Sequence, residues 1–223
     1  MDKNWTFAET LMGFGVFYLV FALVDVLGTK TGLEGSSIFF LAVVLGMGTL
    51  LLSLYIVVYG RSGMGNKIDI PSGNLPFDTM AGMLAGIALG GLGFLNVYLE
   101  GRGILGLFQS SYLRTNLMPE GLFGKLIFLI LFVGVVPMVE ELYFRGFMYP
   151  SLSRTLGILP GILLSGLLSS IFLAGSISYL YLVLAATVFG LLYETTERVY
   201  AGWVAHGAMN LILAATIFLK GVH

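Results

Sequence analysis

The chain has 223 residues and no cysteine. Disulfides, thiolate nucleophiles and thiolate metal sites are therefore excluded, although nothing follows about compartment. Charge is nearly as scarce. Asp, Glu, Lys and Arg together make up 10% of the residues, against roughly 25% in soluble domains. The formal net charge is −1, which gives no electrostatic basis for binding nucleic acid. Histidine occurs only at positions 206 and 223, and the zinc-hydrolase pattern H-E-x-x-H is missing. No A-x-A-type cleavage site follows the first apolar run, so that run reads as a membrane helix rather than a cleaved leader.

What is present is hydrocarbon. Hydrophobic residues make up 57% of the chain, and the mean hydropathy is +0.95. A helix needs about 20 apolar residues to cross a bilayer. Seven stretches qualify as candidates: Trp5–Leu27, Ser37–Tyr59, Phe77–Leu99, a run from Gly121 towards Leu152, Ile158–Ala174, Ser178–Tyr193 and Val199–Leu219. The expected fold is an all-α, polytopic transmembrane bundle of about seven helices with a membrane-embedded polar cavity. It forms a single integral membrane domain over residues 1–223, with N-terminal helices and an interfacial segment over 1–120 and a core over 121–221. The segment Glu100–Glu120 mixes Arg102 and Arg114 with apolar residues, as an interfacial amphipathic piece or a cavity cover would. Gly82, Gly86 and Gly90 form a small-residue face, and Gly161, Ser165 and Ser169 another; both read as close-packing stripes. The last two helices share a very short link and should lie antiparallel. Orientation stays open, because Lys and Arg, with Arg145 left out as lying within the membrane region, divide five against five between the two sides.

The stretch Val136–Tyr149, VPMVEELYFRGFMY, places Glu140, Glu141 and Arg145 at the end of an apolar run. A carboxylate in hydrocarbon costs on the order of 2.5–3.5 kcal/mol by insertion scales. Such charges must be paired, face a wet cavity or do chemistry; otherwise the helix ends at the interface and all three are solvated. Glu141 and Arg145 are four apart and share a face. Glu140 is rotated about 100° from Glu141, so one arginine can neutralise one carboxylate and leave Glu140 free as a general base. Pro137, one turn earlier, bends the helix beside them.

The last run, GWVAHGAMN, puts Gly202, His206 and Asn210 on one helical face. Buried His and Asn either glue neighbouring helices together or donate hydrogen bonds to a developing oxyanion. A His/Glu₂ metal site from His206, Glu140 and Glu141 is a weaker reading than a metal-free one. No cofactor is expected.

Glu140-Glu141-Leu-Tyr-Phe-Arg145, followed by His206-Gly-Ala-Met-Asn210, resembles the CPBP group, the membrane-embedded CAAX-protease and bacteriocin-processing proteins also called the Abi family. The resemblance covers roughly Gly121 to Gly221. It implies a glutamate-dependent intramembrane endopeptidase acting on membrane-tethered or prenylated peptides, with membrane lipid as its surroundings and a prokaryotic cell membrane as its expected place. It also implies Glu140 as base, Glu141 and Arg145 as the residues that hold the site together, and His206 and Asn210 as oxyanion donors around a conical cavity.

The family's middle motif, F-x-x-x-H, is broken. Phe172 is present, but Ser176 stands where the histidine is expected. Tyr179 or Tyr181 would then have to assist, or the chain would be a non-catalytic binding, scaffold or immunity-type member. A proton-relaying transporter is disfavoured, because the charges cluster at one depth and no internal repeat appears.

Overall fold

The computed structural model describes residues 5–33, 35–60, 74–100, 121–171 and 179–220. Within them the chain forms seven helical rods: α1 (Phe7–Lys30), α2 (Gly35–Gly60), α3 (Leu75–Glu100), α4 (Gly121–Leu156), α5 (Ile158–Ile171), α6 (Tyr179–Thr196) and α7 (Val199–Lys220). The described residues agree with the expected all-α bundle. Six of the rods are long and apolar enough to cross a membrane, and the protein is a multi-pass integral membrane protein. The exception is α5. Its 14 residues span about 21 Å at 1.5 Å per residue, short of a hydrocarbon core of about 30 Å. The expected interfacial segment Glu100–Glu120 lies almost wholly outside the described residues.

Helix α1 starts on a capping box. Thr6 N–H donates to Glu9 Oε2 at 2.7 Å, and Glu9 N–H donates to Thr6 Oγ1 at 3.4 Å. This accounts for a glutamate in the first turn of an otherwise apolar helix.

Among the described residues two large hydrophobic cores form, beside a small cluster of Val24, Ile38 and Ala42 between α1 and α2. One gathers α1, α2 and α4 around Phe14, Phe17, Met47, Leu50, Tyr143, Phe144 and Phe147. The other gathers α3, α6 and α7 around Leu89, Leu182, Phe189, Ala205, Met209 and Leu213. The glycine stripe of α3 does what a small-residue face should. A Cβ on Gly82 would sit 2.6 Å from the Ala201 carbonyl oxygen, and one on Gly86 would strike the Ala205 carbonyl. Helix α3 therefore lies directly on the α7 backbone. Asp78 at the start of α3 pairs with Arg198 just before α7, fastening the ends together. The two-residue link from α6 to α7 turns through Glu197 at φ 55°, and α7 folds back against α6, as the short link required.

Candidate active site

Helix α4 is not uniformly α-helical. Its α segments, Gly121–Leu129, Val136–Glu141 and Tyr149–Leu156, alternate with π-helical ones, Ile130–Val135 and Leu142–Met148. Such widened turns are frequent at functional sites. The first lies beside Pro137. Val136 N–H bonds to Leu131 O, five residues back. The next bond in that register would run from residue 137 to Phe132 O, but residue 137 is proline and has no N–H. The Phe132 carbonyl is thus left without a helical donor.

Helix α7 supplies the missing donor. Asn210 Nδ2–H donates to Phe132 O at 2.8 Å, and Trp203 Nε1–H donates to Gly134 O at 3.0 Å. Between them, Gly207 lets Val133 O approach so closely that a Cβ there would be 2.7 Å from it. One face of α7 therefore grips three consecutive carbonyls at the bend, as the accounting of buried backbone groups demands. The sequence reading offered Asn210 as an oxyanion donor or as packing glue. One of its N–H groups is committed to the helix bend, which leaves the second for a ligand.

The short α segment between the π turns presents Glu140 and Glu141. Glu140 is 5% exposed, Glu141 0%, Arg145 2% and His206 5%, so the alternative of a solvated helix end is overturned. Arg145 Nη1 lies 3.1 Å from Glu141 Oε1, and Nη2–H donates to Ala186 O on α6 at 2.7 Å. The arginine neutralises Glu141 and leaves Glu140 without a cation of its own helix. The imidazole of His206 stands between the two acids. Its Nδ1 is 3.3 Å from Glu141 Oε1 and its Nε2 is 3.8 Å from Glu140 Oε2. The Glu141 contact fixes how the ring is turned.

Phe189 of α6 forms the floor. His206 stacks on it at 4.9 Å between centroids and 22°, and the Arg145 guanidinium lies 5.5 Å from the same ring. The guanidinium gains from the π face. Gly202 provides the last fit: a Cβ there would be 2.7 Å from Glu141 Oε2.

Two cavities meet at this cluster. An apolar one lies between α2, α4 and α7, lined by Phe39, Phe40, Val43, Phe128, Leu131, Phe132 and Val136. It reaches Glu140, His206 and Asn210. A second lies towards α5 and α6, with Ser169, Ser170, Leu182 and Ala185 facing Glu140, Arg145 and His206. Buried oxygens of Glu140 (Oε1) and Glu141 (Oε2) have no hydrogen-bond partner among the described residues. Glu140 and Glu141 engage opposite nitrogens of the one ring, and among the described residues no group of three or more His, Asp or Glu side chains is placed to hold a metal ion.

All five expected site residues thus converge. The expected helpers Tyr179 and Tyr181 turn their hydroxyls elsewhere. Tyr181 hydroxyl donates to Leu89 O on α3 at 2.9 Å, and Tyr179 hydroxyl donates to Leu167 O at 3.3 Å. Phe172, Ser176 and His223 lie outside the described residues. Sequence reasoning missed Phe189 and Trp203. An aromatic in an apolar helix carries no signal of its own, and only the partner across the bundle gives it a role.

Comparison with known proteins bears on the same part of the chain. Residues 122–212 match the family model "Type II CAAX prenyl endopeptidase Rce1-like". None of the curated proteins matches, and none of the solved structures does. The matched span runs from the start of α4 into α7 and includes Glu140, Glu141, Arg145, His206 and Asn210. Over that span the chain is similar to the Rce1-like family of type II CAAX prenyl endopeptidases, consistent with the CPBP group that its motifs resemble.

Proposed function

We propose that the protein is a glutamate-dependent intramembrane endopeptidase that cleaves membrane-tethered or prenylated peptides. The observation that carries this reading is the Glu140–His206 pair, buried between an apolar and a hydroxyl-lined cavity and braced from behind by Glu141 and Arg145. The family match supports CAAX-protease-like activity.

In the proposed reaction Glu140 takes a proton from water as the water oxygen bonds to the scissile carbonyl carbon. The carbonyl oxygen gains the electron pair and is met by the His206 N–H and the second N–H of Asn210. As the tetrahedral species collapses, the C–N bond breaks and Glu140 returns its proton to the leaving nitrogen. Glu141 and Arg145 do not touch the reacting atoms; they fix the imidazole. The apolar cavity is suited to an alkyl or isoprenoid chain and the other to peptide.

Glu140→Gln removes the base and keeps the shape. In reconstituted membranes, turnover of a prenylated CAAX-type peptide should fall by roughly 10²–10⁴-fold, with the thermal unfolding midpoint unchanged. Wild-type turnover in that variant would refute the assignment.

A further inference from the structure

Glu140 and Glu141 meet the His206 imidazole at its nitrogens, 3.8 Å from Nε2 and 3.3 Å from Nδ1. The longer contact is no hydrogen bond. The Glu141 contact selects between the two ways round that the ring can sit. It does little against smaller turns about the Cβ–Cγ bond, whose torsional well is broad in histidine. A flat wall against the ring resists those turns, because each one drives ring atoms into the wall. Phe189 of α6 is that wall. The two rings stand 4.9 Å apart between centroids and 22° from parallel.

The wall is itself fixed. Phe189 is 2% exposed and belongs to the core of Leu182, Ala185 and Met209. A Cβ on the next residue, Gly190, would lie 2.8 Å from Ile162 Cγ2, so α5 bears directly on the α6 backbone beside the ring. Helix α5 is too short to cross the bilayer, and here it serves as a brace. The Arg145 guanidinium lies 5.5 Å from the Phe189 centroid, and its Nη2–H donates to Ala186 O three residues earlier. One stretch of α6 thus supports both groups that contact Glu141 Oε1. A buried residue needed for bulk alone could be any apolar side chain of similar volume. Only an aromatic ring offers a flat face to an imidazole.

The geometry points to Phe189 as a positioning residue for the proposed hydrolysis. Its ring sets the tilt of the imidazole, and with it the direction from which the His206 N–H meets the developing oxyanion. This rests on the hydrolytic reading above. No bond forms or breaks at Phe189; it acts through His206.

The test uses the full chain in liposomes with a prenylated CAAX-type peptide, comparing wild type, Phe189→Leu and Phe189→Met. Both substitutions keep an apolar side chain and remove the flat face; where one fails to fold, the other carries the comparison. Each should lower kcat by roughly 10–100-fold with KM little changed. Labelling with ¹³C-histidine gives imidazole signals from His206 and His223 alone, and the one lost in His206→Gln belongs to the site. Its Cδ2–H bond swings when the ring turns, so the order parameter of that bond should fall in the variants. A kcat within about twofold of wild type overturns the proposal while leaving the peptidase reading intact. A lower kcat with an unchanged order parameter makes the ring a packing group and also overturns it, as does failure of both variants to fold. A raised KM at unchanged kcat makes it a contact for the bound peptide instead and overturns it too. A wild-type chain that leaves the peptide uncut, like Glu140→Gln, removes the peptidase reading and this proposal with it.

Discussion

Glu141 is held by contact as much as by charge. Its Oε1 meets Arg145 and His206, while its Oε2 rests against the bare Cα of Gly202. Gly202→Ala would place a methyl group 2.7 Å from that oxygen, and the acid would have to move along with the imidazole it orients. Overpacking of this kind costs about 1–3 kcal/mol of stability, and an error of an ångström in a catalytic group costs about 10²-fold in rate. The expected outcome is a large loss of turnover with a modest fall in unfolding midpoint. Gly91→Ala is the control. Nothing lies within 4 Å of the added Cβ, so turnover there should be unchanged. At this scale the sequence was informative about identity and silent about fit. Glu140, Glu141, Arg145, His206 and Asn210 stand out because ionisable and amide groups are costly in hydrocarbon. Gly202 stood out only by its spacing from His206, and the reason for it is a carboxylate 61 positions away.

Among the elements, α4 departs furthest from what periodicity suggests. Pro137 announced a bend, but two π-helical turns leave no mark in hydrophobic spacing, since they shift the register without changing which residues are apolar. The prolyl gap also sets up a trade. Asn210 serves the Phe132 carbonyl only because residue 137 cannot. Asn210→Leu should therefore cost about 1–3 kcal/mol, the penalty for an unsatisfied buried acceptor. In a Pro137→Ala background most of that penalty should vanish, because the restored amide takes the carbonyl back into the helix. A double-mutant cycle on unfolding free energy in detergent reads the coupling; additive losses would mean the two positions are not linked through that oxygen. The small-residue stripes, by contrast, were legible. Gly82 and Gly86 lie on α7 backbone as their spacing suggested, since the absence of side chains is itself visible in a sequence.

At the scale of the whole molecule, the outward faces of the rods are hydrocarbon. Leu45 of α2 is 45% exposed near the middle of its span. In a water-soluble protein an exposed Leu→Arg change would be tolerated. Here Leu45→Arg should cost about 2.5–3.5 kcal/mol of insertion free energy, seen as a lower yield of full chain in the membrane fraction. Class and helix number were readable from composition and run length, because the bilayer sets both. The pairing of the helices was not. Nothing in the order of residues says that α1, α2 and α4 share one core while α3, α6 and α7 share another, or that the polar cluster closes the seam.

That seam has a pharmacological consequence. Glu140 and His206 form a partition with a greasy chamber on one side and a chamber edged by Ser169 and Ser170 on the other. A blocker that fills only the greasy side competes with every lipid tail in the bilayer, and one that fills only the hydroxyl side must leave water to reach it. A forked compound would escape both handicaps. It would carry a flat aromatic prong for Phe128 and Phe132, a short polar prong for the two serines, and a tetrahedral centre at the branch point against the imidazole.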